Sequence, residues 1–386
     1  MRNIKLFETE AEYNAEKNSL VKPNVSHVRE SGHNYFHPYE RDYSREYLTY
    51  EVLDDGFMIK MVQVQGENVP SAYTISYSLN GGEWLEFPDV DLANPDPSTF
   101  VSVSSGDVVR VKGNNNAMCY RIDDSNMSTC IILSFNSTYT PGGIGLNIYG
   151  NVMSVLYGDN FIGQTSFPNG SNSNFYGFFS GLGVIDVSNL ILPATTLTED
   201  CYAAMFAGCT SLVNAPELPA TTLVDKCYEG MFQYCSSLNY IKCLATDISA
   251  TDCTSSWVHG VASYGLFIKD TNMSSWTTGN NGIPTGWIAL EEGETVSGLT
   301  LGTDYVQIPS YRPHSISVIA LTNTSNPITA TTTAVTTLSV EVLPFDSMIS
   351  FVKITQVDGF VARVEIPVSV TDGNETKTIT VRTYSA

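Results

Sequence analysis

Residues 192–217 read LPATTLTEDCYAAMFAGCTSLVNAPE, and residues 218–243, which follow directly, read LPATTLVDKCYEGMFQYCSSLNYIKC. The two segments match at a period of 26 residues, with Leu, Cys, Tyr, Met and Phe recurring at equivalent positions. Chance does not produce such a match, so we identify an internal repeat. The pattern weakens on both sides, in FYGFFSGLG (175–183) upstream and around Cys253 and Trp257-Val258 downstream. We predict a stack of about four turns whose degenerate ends cap it.

Each repeat has two parts. Apolar side chains at i, i+1, i+4, i+5 and i+8 form a stripe that predicts a short helix, and SLVNAPEL (211–218) predicts an extended segment that Pro216 ends. Stacking places equivalent residues above one another, so the stripe becomes a core. The predicted core residues are Leu192, Cys201, Met205, Phe206, Cys209, Leu212, Leu218, Cys227, Met231, Phe232, Cys235 and Leu238.

The chain has eight cysteines, and four of them recur at matching positions of the two repeat segments: Cys201, Cys209, Cys227 and Cys235. They have three possible roles: small buried hydrophobic residues, disulfide partners or metal ligands. No CxxC pair occurs, and no export signal is visible at the start of the chain. We therefore favour buried thiols arranged in ladders, with no cofactor.

Composition and charge limit the possible functions. The 386 residues include 19 Lys and Arg against 40 Asp and Glu, giving a net charge of −21. Such a surface repels phosphate backbones and anionic membranes, so we expect no nucleic-acid partner. No run of about 18 apolar residues occurs, so we expect no membrane span either.

Residues 1–46 differ from the rest of the chain. They carry seven basic against eight acidic residues, whereas the remainder carries 12 against 32. A segment of this size is too small to bury a core of its own, so we expect it to pack on a partner. It holds the clustered histidines His27, His33 and His37, which are weak candidates for metal ligands on a symmetry axis and stronger candidates for interface packing.

Two regions have the alternation of β-strands. In residues 47–158, YTISYSLNGGEWLEF places Asn80-Gly81-Gly82 at a tight turn between alternating runs. Residues 291–386 alternate Thr and Val between turns such as Asp372-Gly373. The predicted fold class is therefore mainly β and multi-domain: an Ig-like β-sandwich (47–158), a repeat solenoid (159–290) and a C-terminal β-sandwich (291–386).

The repeat resembles a known family. LPATTLxxxCYxxMFxxCxSL, with YIKCLATDISATDCTSSWV and TTGNNGIPTGW after it, is similar to the BspA-type leucine-rich repeat proteins of Bacteroides and their phages. The resemblance covers about residues 48–290. It implies a leucine-rich repeat solenoid, extracellular display and adhesion to a protein or glycan, with no chemistry of its own.

The first residues resemble a second group. IKLFETEAEYNAEKNSLVKPNVSHVRESGHNYFHP looks like the leader of virion structural proteins in Bacteroides phages, including the crAss-like phages. The resemblance implies a non-enzymatic head fibre or capsid decoration protein at the virion surface. Residues 1–46 would anchor it to another virion protein. We further expect a homotrimer, because the alternating apolar strand faces near the C terminus are too extensive for one chain to bury.

Two alternatives stay open: a bacterial cell-surface adhesin of the same repeat family, and a tail spike that degrades polysaccharide. The spike requires two carboxylates flanking a glycosidic bond, and Glu83 and Glu86 beside Trp84 are the candidates in sequence. Asp89, Asp91 and Asp96 crowd the next loop and are candidates for calcium ligands. The aromatic side chains that we considered for sugar stacking are Trp84, Trp276 and Trp287.

Overall fold

The computed structural model describes residues 27–30, 33–36, 42–55, 57–64, 75–86, 101–115, 130–136, 145–170, 172–294, 296, 298–309, 315–322, 326–334, 338–344, 349–356 and 365–384. This part of the chain is mainly β, with several open sheets and one short α-helix, α1 (Ser154–Tyr157). The prediction of a mainly β protein is confirmed.

The first half holds a hairpin and two larger sheets. The strands are β1 (His27–Glu30), β2 (His33–Phe36), β3 (Leu48–Val52), β4 (Phe57–Val64), β5 (Ile75–Leu79), β6 (Leu85–Glu86), β7 (Val101–Val103), β8 (Val108–Gly113), β9 (Cys130–Asn136), β10 (Leu146–Asn151), β11 (Val184–Asp186) and β12 (Leu190–Ile191). Strands β1 and β2 pair with each other, and β4 lies between β7 and β9. A seven-stranded sheet, the N-terminal sheet, has the order β11-β10-β3-β8-β5-β6, with β12 also paired to β10.

The second half begins with a parallel sheet and ends in two larger sheets. The strands are β13 (Tyr240–Cys243), β14 (Leu266–Lys269), β15 (Ile288–Glu291), β16 (Thr300–Leu301), β17 (Tyr305–Pro309), β18 (Ser315–Leu321), β19 (Thr329–Thr332), β20 (Leu338–Pro344), β21 (Ile349–Gln356), β22 (Glu365–Thr371) and β23 (Thr376–Tyr384). The sheet orders are β13-β14-β15, then β16-β18-β21-β20 and β17-β23-β22-β19.

The repeats form four stacked coils, and we call residues 172–287 the coil stack. The predicted helices are wrong: residues 173–182, 198–209, 224–235 and 250–261 form arrays of tight turns. In each turn array every second amide bonds to a carbonyl three residues earlier, such as Met205 N–H to Tyr202. The amides between them bond to the next coil, such as Phe206 N–H to Met231 and Phe232 N–H to Trp257. A helix would use all of these amides internally and leave none to join the coils.

Backbone conformations repeat with the turns. Every fourth residue of a turn array has positive φ, and three columns of such residues run along the stack. The columns are Ser173, Asp200, Lys226 and Asp252; Gly177, Ala204, Gly230 and Ser256; and Gly181, Gly208, Tyr234 and Gly260. The other side of each coil is extended, as predicted, and the amides of Val213, Asn239, Leu266 and Ile288 link successive coils in parallel register.

One apolar core runs from the N-terminal sheet through the coil stack, from Leu48 to Trp287. Strand β10 pairs with β3 on one side and with β11 and β12 of the first coil on the other. The Tyr50 ring meets the Phe179 ring edge to face at 6.1 Å. The N-terminal sheet therefore covers the first coil, whose apolar end would otherwise face water.

The last two sheets share one apolar cluster, to which β18, β20 and β21 contribute from one sheet and β17, β22 and β23 from the other. Strands β18 and β21 are apolar on both faces. Ile319, Leu321, Ile349 and Phe351 point away from that cluster and pack on Tyr240 and Leu266 of the parallel sheet. The strand faces that suggested a trimer are thus largely covered within one chain: Val368, Val370, Ile379 and Val381 are buried, and Val340 and Val342 pack on the same cluster.

Candidate functional site

All twelve side chains that the repeat predicts as core are buried. Leu192 is 2% exposed and the other eleven are fully enclosed. The recurring side chains therefore supply packing rather than a reactive surface.

The thiols follow the same pattern. Among the described residues Cys201, Cys209, Cys227, Cys235, Cys243 and Cys253 are buried and carry no disulfide. The Sγ atoms of Cys209 and Cys235 donate to the carbonyls of Phe179 and Phe206 in the preceding coil, at 3.1 and 3.0 Å. Burial raises the pKa of Cys201, Cys209 and Cys243 to about 12, because an apolar surrounding disfavours the thiolate. At neutral pH these thiols are therefore protonated.

Aromatic rings form two further ladders. In the longer ladder, centroids lie 5.5–6.3 Å apart along Phe175, Tyr202, Tyr228, Trp257 and Trp276. In the shorter ladder, Phe179, Phe206 and Phe232 stack at 5.3 and 5.6 Å. Stacked rings bury large apolar areas and add favourable ring–ring contacts, so they stiffen the stack along its axis.

The structure describes two of the three histidines that were candidate metal ligands, His27 and His33. His27 lies in β1 opposite Phe36, and His33 lies in β2 opposite Glu30. His37 lies outside the described residues, as do Asp89, Asp91 and Asp96. Within the described ranges, no three His, Cys, Asp or Glu side chains lie close enough together to hold a metal ion.

Trp84 is held in a cluster at the β5–β6 hairpin. The Lys112 Nζ lies 4.5 Å from the Trp84 ring centroid, and the Tyr47 ring meets Trp84 edge to face at 4.9 Å. Lys112 also forms a 2.8 Å ion pair with Asp159, which accepts a 2.8 Å hydrogen bond from the Tyr47 hydroxyl. The cluster fixes the β5–β6 hairpin against the turn after α1, so Trp84 has a structural use.

The hydrogen bonds of this cluster shift the pKa values of Asp159 and Tyr47 in opposite directions. The hydrogen bonds from Lys112 and Tyr47 lower the pKa of Asp159. Burial, together with the bond to Asp159, raises the pKa of Tyr47 to about 12. Glu83 and Glu86 lie on the same hairpin and are exposed.

The other two candidate tryptophans also serve the fold. Trp276 is the last rung of the longer ladder, stacked on Trp257 at 5.5 Å with an angle of 6° between the rings. Trp287 is 8% exposed and its Nε1 donates to the Ala262 carbonyl at 2.8 Å. Trp287 therefore closes the end of the coil stack, which is a structural role.

A shallow depression lies between the parallel sheet and the C-terminal sheets. Lys242 forms ion pairs there with Glu217 and Glu292, at 2.8 and 2.7 Å, and Lys269 pairs with Glu291 at 2.8 Å. All five charged residues belong to the parallel sheet or to the segments next to it, so these ion pairs stabilise that sheet. We assign the depression to packing.

The coil stack carries a large, exposed aromatic side chain outside its core. Tyr234 is 55% exposed, and it stands in the column of positive φ whose other members are all glycine. Its own φ is 63°, and its amide donates to the His259 carbonyl at 2.7 Å. The Tyr234 and His259 rings meet edge to face at 5.3 Å. We call Tyr234 and His259 the aromatic platform.

The aromatic platform was not predicted from the sequence. The repeat alignment nevertheless contains a signal, because Gly208 aligns with Tyr234 and both are followed by the second cysteine of the repeat. A bulky residue replacing glycine in a repeat indicates a special position, since glycine adopts positive φ without steric cost. The platform is the best-defined candidate contact site on the coil stack.

No helix in the described part of the chain has the length and hydropathy needed to cross a bilayer. The sequence matches no protein-family model and no curated protein.

Proposed function

We propose that this chain is a non-enzymatic structural protein of a bacteriophage particle, of the head-fibre or capsid-decoration type. In this proposal the coil stack is a BspA-type leucine-rich repeat solenoid displayed at the virion surface. The observation that carries the proposal is the burial of the recurring thiols and rings in ladders. A repeat used in this way builds a rigid frame, and a frame with exposed adhesive groups is suited to display.

Two β-sandwich domains complete the proposed architecture. The shared apolar cluster of the last two sheets supports a sandwich at the C terminus. For residues 47–158 we propose an Ig-like sandwich, with the N-terminal sheet as one layer and the sheet of β4, β7 and β9 as the other. The outer domains would then adhere to host or gut surface glycans or proteins.

Mass spectrometry of purified phage particles tests the virion assignment. The chain should be present at a constant ratio to the major capsid protein through successive density gradients. Recovery in the bacterial envelope fraction, with none in particles, would favour the adhesin alternative. Cleavage of purified host polysaccharide by the protein would favour the tail spike.

Residues 1–46 are proposed to anchor the chain to another virion protein. A truncation that tests this should keep residues 42–46, because they belong to the folded body. Residues 42–46 pack on β10, since the Tyr43 ring contacts the Tyr149 ring at 5.7 Å and the Asn151 amide donates to the Glu46 carbonyl at 2.8 Å. A truncated chain that starts at Asp42 keeps these contacts. It should fold, with an unchanged melting temperature, and no longer attach to particles. Full attachment would place the anchor elsewhere, with the C-terminal sheets next.

A homotrimer remains part of the proposal. Its support is the closed cyclic symmetry common among oligomers, since the apolar faces that first suggested it are covered within one chain. Light scattering should give about three times the chain mass of 42.1 kDa at micromolar concentration. A mass equal to that of one chain, independent of salt, would contradict the trimer.

A further inference from the structure

The backbone at Tyr234 indicates that its side chain is kept for something other than folding. The equivalent residues Gly181, Gly208 and Gly260 adopt the same left-handed conformation without a side chain. A tyrosine at φ 63° is strained there, and its ring adds nothing to the apolar core, because more than half of it reaches solvent. A strained backbone that holds a ring outside the core points to a binding role.

The ring is held in place before any ligand arrives. A Cβ added at Gly260 would lie 3.0 Å from the Tyr234 Cδ1, so the ring lies against the backbone of the next coil. The His259 ring contacts it from the side, and the amide of Tyr234 is fixed to that same coil. A rigid aromatic ring loses little conformational entropy when a ligand stacks on it.

The surroundings of the ring favour a small, flat, hydroxylated ligand. Glycine occupies the neighbouring positions of the column, so no side chain from them rises beside the ring. Thr210 and Ser236 are exposed residues two positions beyond the column residue of their coils, and the Ser236 Oγ donates to the Thr210 carbonyl at 3.4 Å. A flat, exposed aromatic surface suits a pyranose, whose C–H face stacks on the ring while its hydroxyls stay hydrated.

Charge selects among sugars. The chain carries a net charge of −21, and such a surface repels sulfated and uronic-acid glycans. We propose that Tyr234 and His259 form a binding site for neutral hexose glycans, with Tyr234 as the stacking surface. The proposal rests on the display function proposed above, and it assigns that function a ligand class and a location.

Affinity electrophoresis of the full chain tests it, in native gels that contain dextran, mannan, β-glucan or galactan, with dextran sulfate as the charged counterpart. At least one neutral polymer should retard the chain, and dextran sulfate should not. Tyr234→Gly should weaken the retardation at least tenfold, while Tyr234→Phe, which keeps the ring, should retain it. Tyr305→Ala removes another exposed tyrosine, on β17, and should leave it unchanged.

Tyr234→Gly places glycine where the other three members of the column have it. We therefore expect its melting temperature to be no lower than that of the wild type, so a loss of binding would not be due to misfolding. Absence of retardation by every neutral polymer, or equal retardation of Tyr234→Gly, overturns the proposal. Weaker attachment of Tyr234→Gly particles to host cells without polymer binding would indicate a protein partner and also overturns it. Failure of the virion assignment is separate: the chain would then be missing from particles, whatever the gels show.

Discussion

Ala204 lies in the same kind of left-handed conformation as Tyr234, with φ at 52°, and two of the three other members of its column are Gly177 and Gly230. A side chain in this region costs about 1–2 kcal/mol, whereas glycine costs about 0.5–1 kcal/mol through its larger unfolded-state entropy. The first effect is the larger. Ala204→Gly should therefore raise the free energy of unfolding by about 0.5–1 kcal/mol, measured by urea denaturation.

The matched control is Ala207→Gly, three residues later in the same coil. Ala207 is not among the positive-φ residues, so only the entropic cost applies there. That variant should lose about 0.5–1 kcal/mol. If both variants shift the urea midpoint in the same direction, backbone strain at Ala204 is not the cause.

The thiols give a second prediction at this scale. Since the thiolate is the reactive form and burial raises the pKa of Cys201, Cys209 and Cys243 to about 12, these cysteines should resist iodoacetamide at neutral pH in the folded protein. Peptide mapping after a timed pulse measures this, with labelling in urea as the control. Rapid labelling of the folded chain, or disulfides in non-reducing maps, would rule out the ladder.

The sequence predicted which side chains of the repeat face the core. It did not predict the backbone conformation, which is an array of tight turns and not a helix. Apolar positions at i, i+1, i+4, i+5 and i+8 fit a helix, and they fit equally well a turn that repeats every four residues. What distinguishes the two is a positive φ at every fourth residue, here Asp200, Ala204 and Gly208, and an alanine in the sequence does not indicate that conformation. The extended segments were easier to predict, because Pro216 and alternation mark them directly.

At the scale of elements, the parallel sheet depends on a close approach at Gly265. A Cβ there would overlap the Asn239 carbonyl oxygen and lie 2.6 Å from the Trp287 ring. Both neighbours are fixed, one as backbone and the other as a ring that caps the coil stack. Gly265→Ala should therefore cost about 1–3 kcal/mol through overpacking. Gly302→Ala, whose Cβ would meet Ile319 at an ordinary 3.6 Å, should be close to neutral in the same urea titration.

The coil stack should also be sensitive to alkali. Unfolded thiols ionise near their usual pKa of 9.0, whereas the buried thiols of Cys201, Cys209 and Cys243 keep their protons until about 12. The stabilisation from these groups is complete below about pH 9 and is lost as the pH rises toward 12. Urea midpoints should fall steadily across that window. The variant Cys243→Ala should show a shallower fall, and a midpoint that does not change with pH would contradict the burial of the thiols.

At the scale of the whole molecule, the two halves of the chain meet through a small apolar seam. Phe351 contacts the Tyr240 ring edge to face at 6.4 Å and lies with Ile349 on the face of β21 that is turned toward the coil stack. Phe351→Ala should uncouple the halves, because its ring belongs to the seam and not to the core of either half. Calorimetry should then show two transitions in place of one, while Phe351→Leu keeps a single transition. A single transition in both variants would show that the halves are joined by other contacts.

The hydrogen bonding of the turn arrays restricts how this molecule can change in size. Odd and even amides alternate between their own coil and the next one, as Met205 and Phe206 do. A single inserted residue would reverse that parity for every amide after it and turn core side chains outward. Indels within an array are therefore tolerated only in whole turns of four residues, and the stack as a whole grows or shrinks only by complete coils. Its length is consequently quantised, in steps of about 4.8 Å, the separation of neighbouring extended chains.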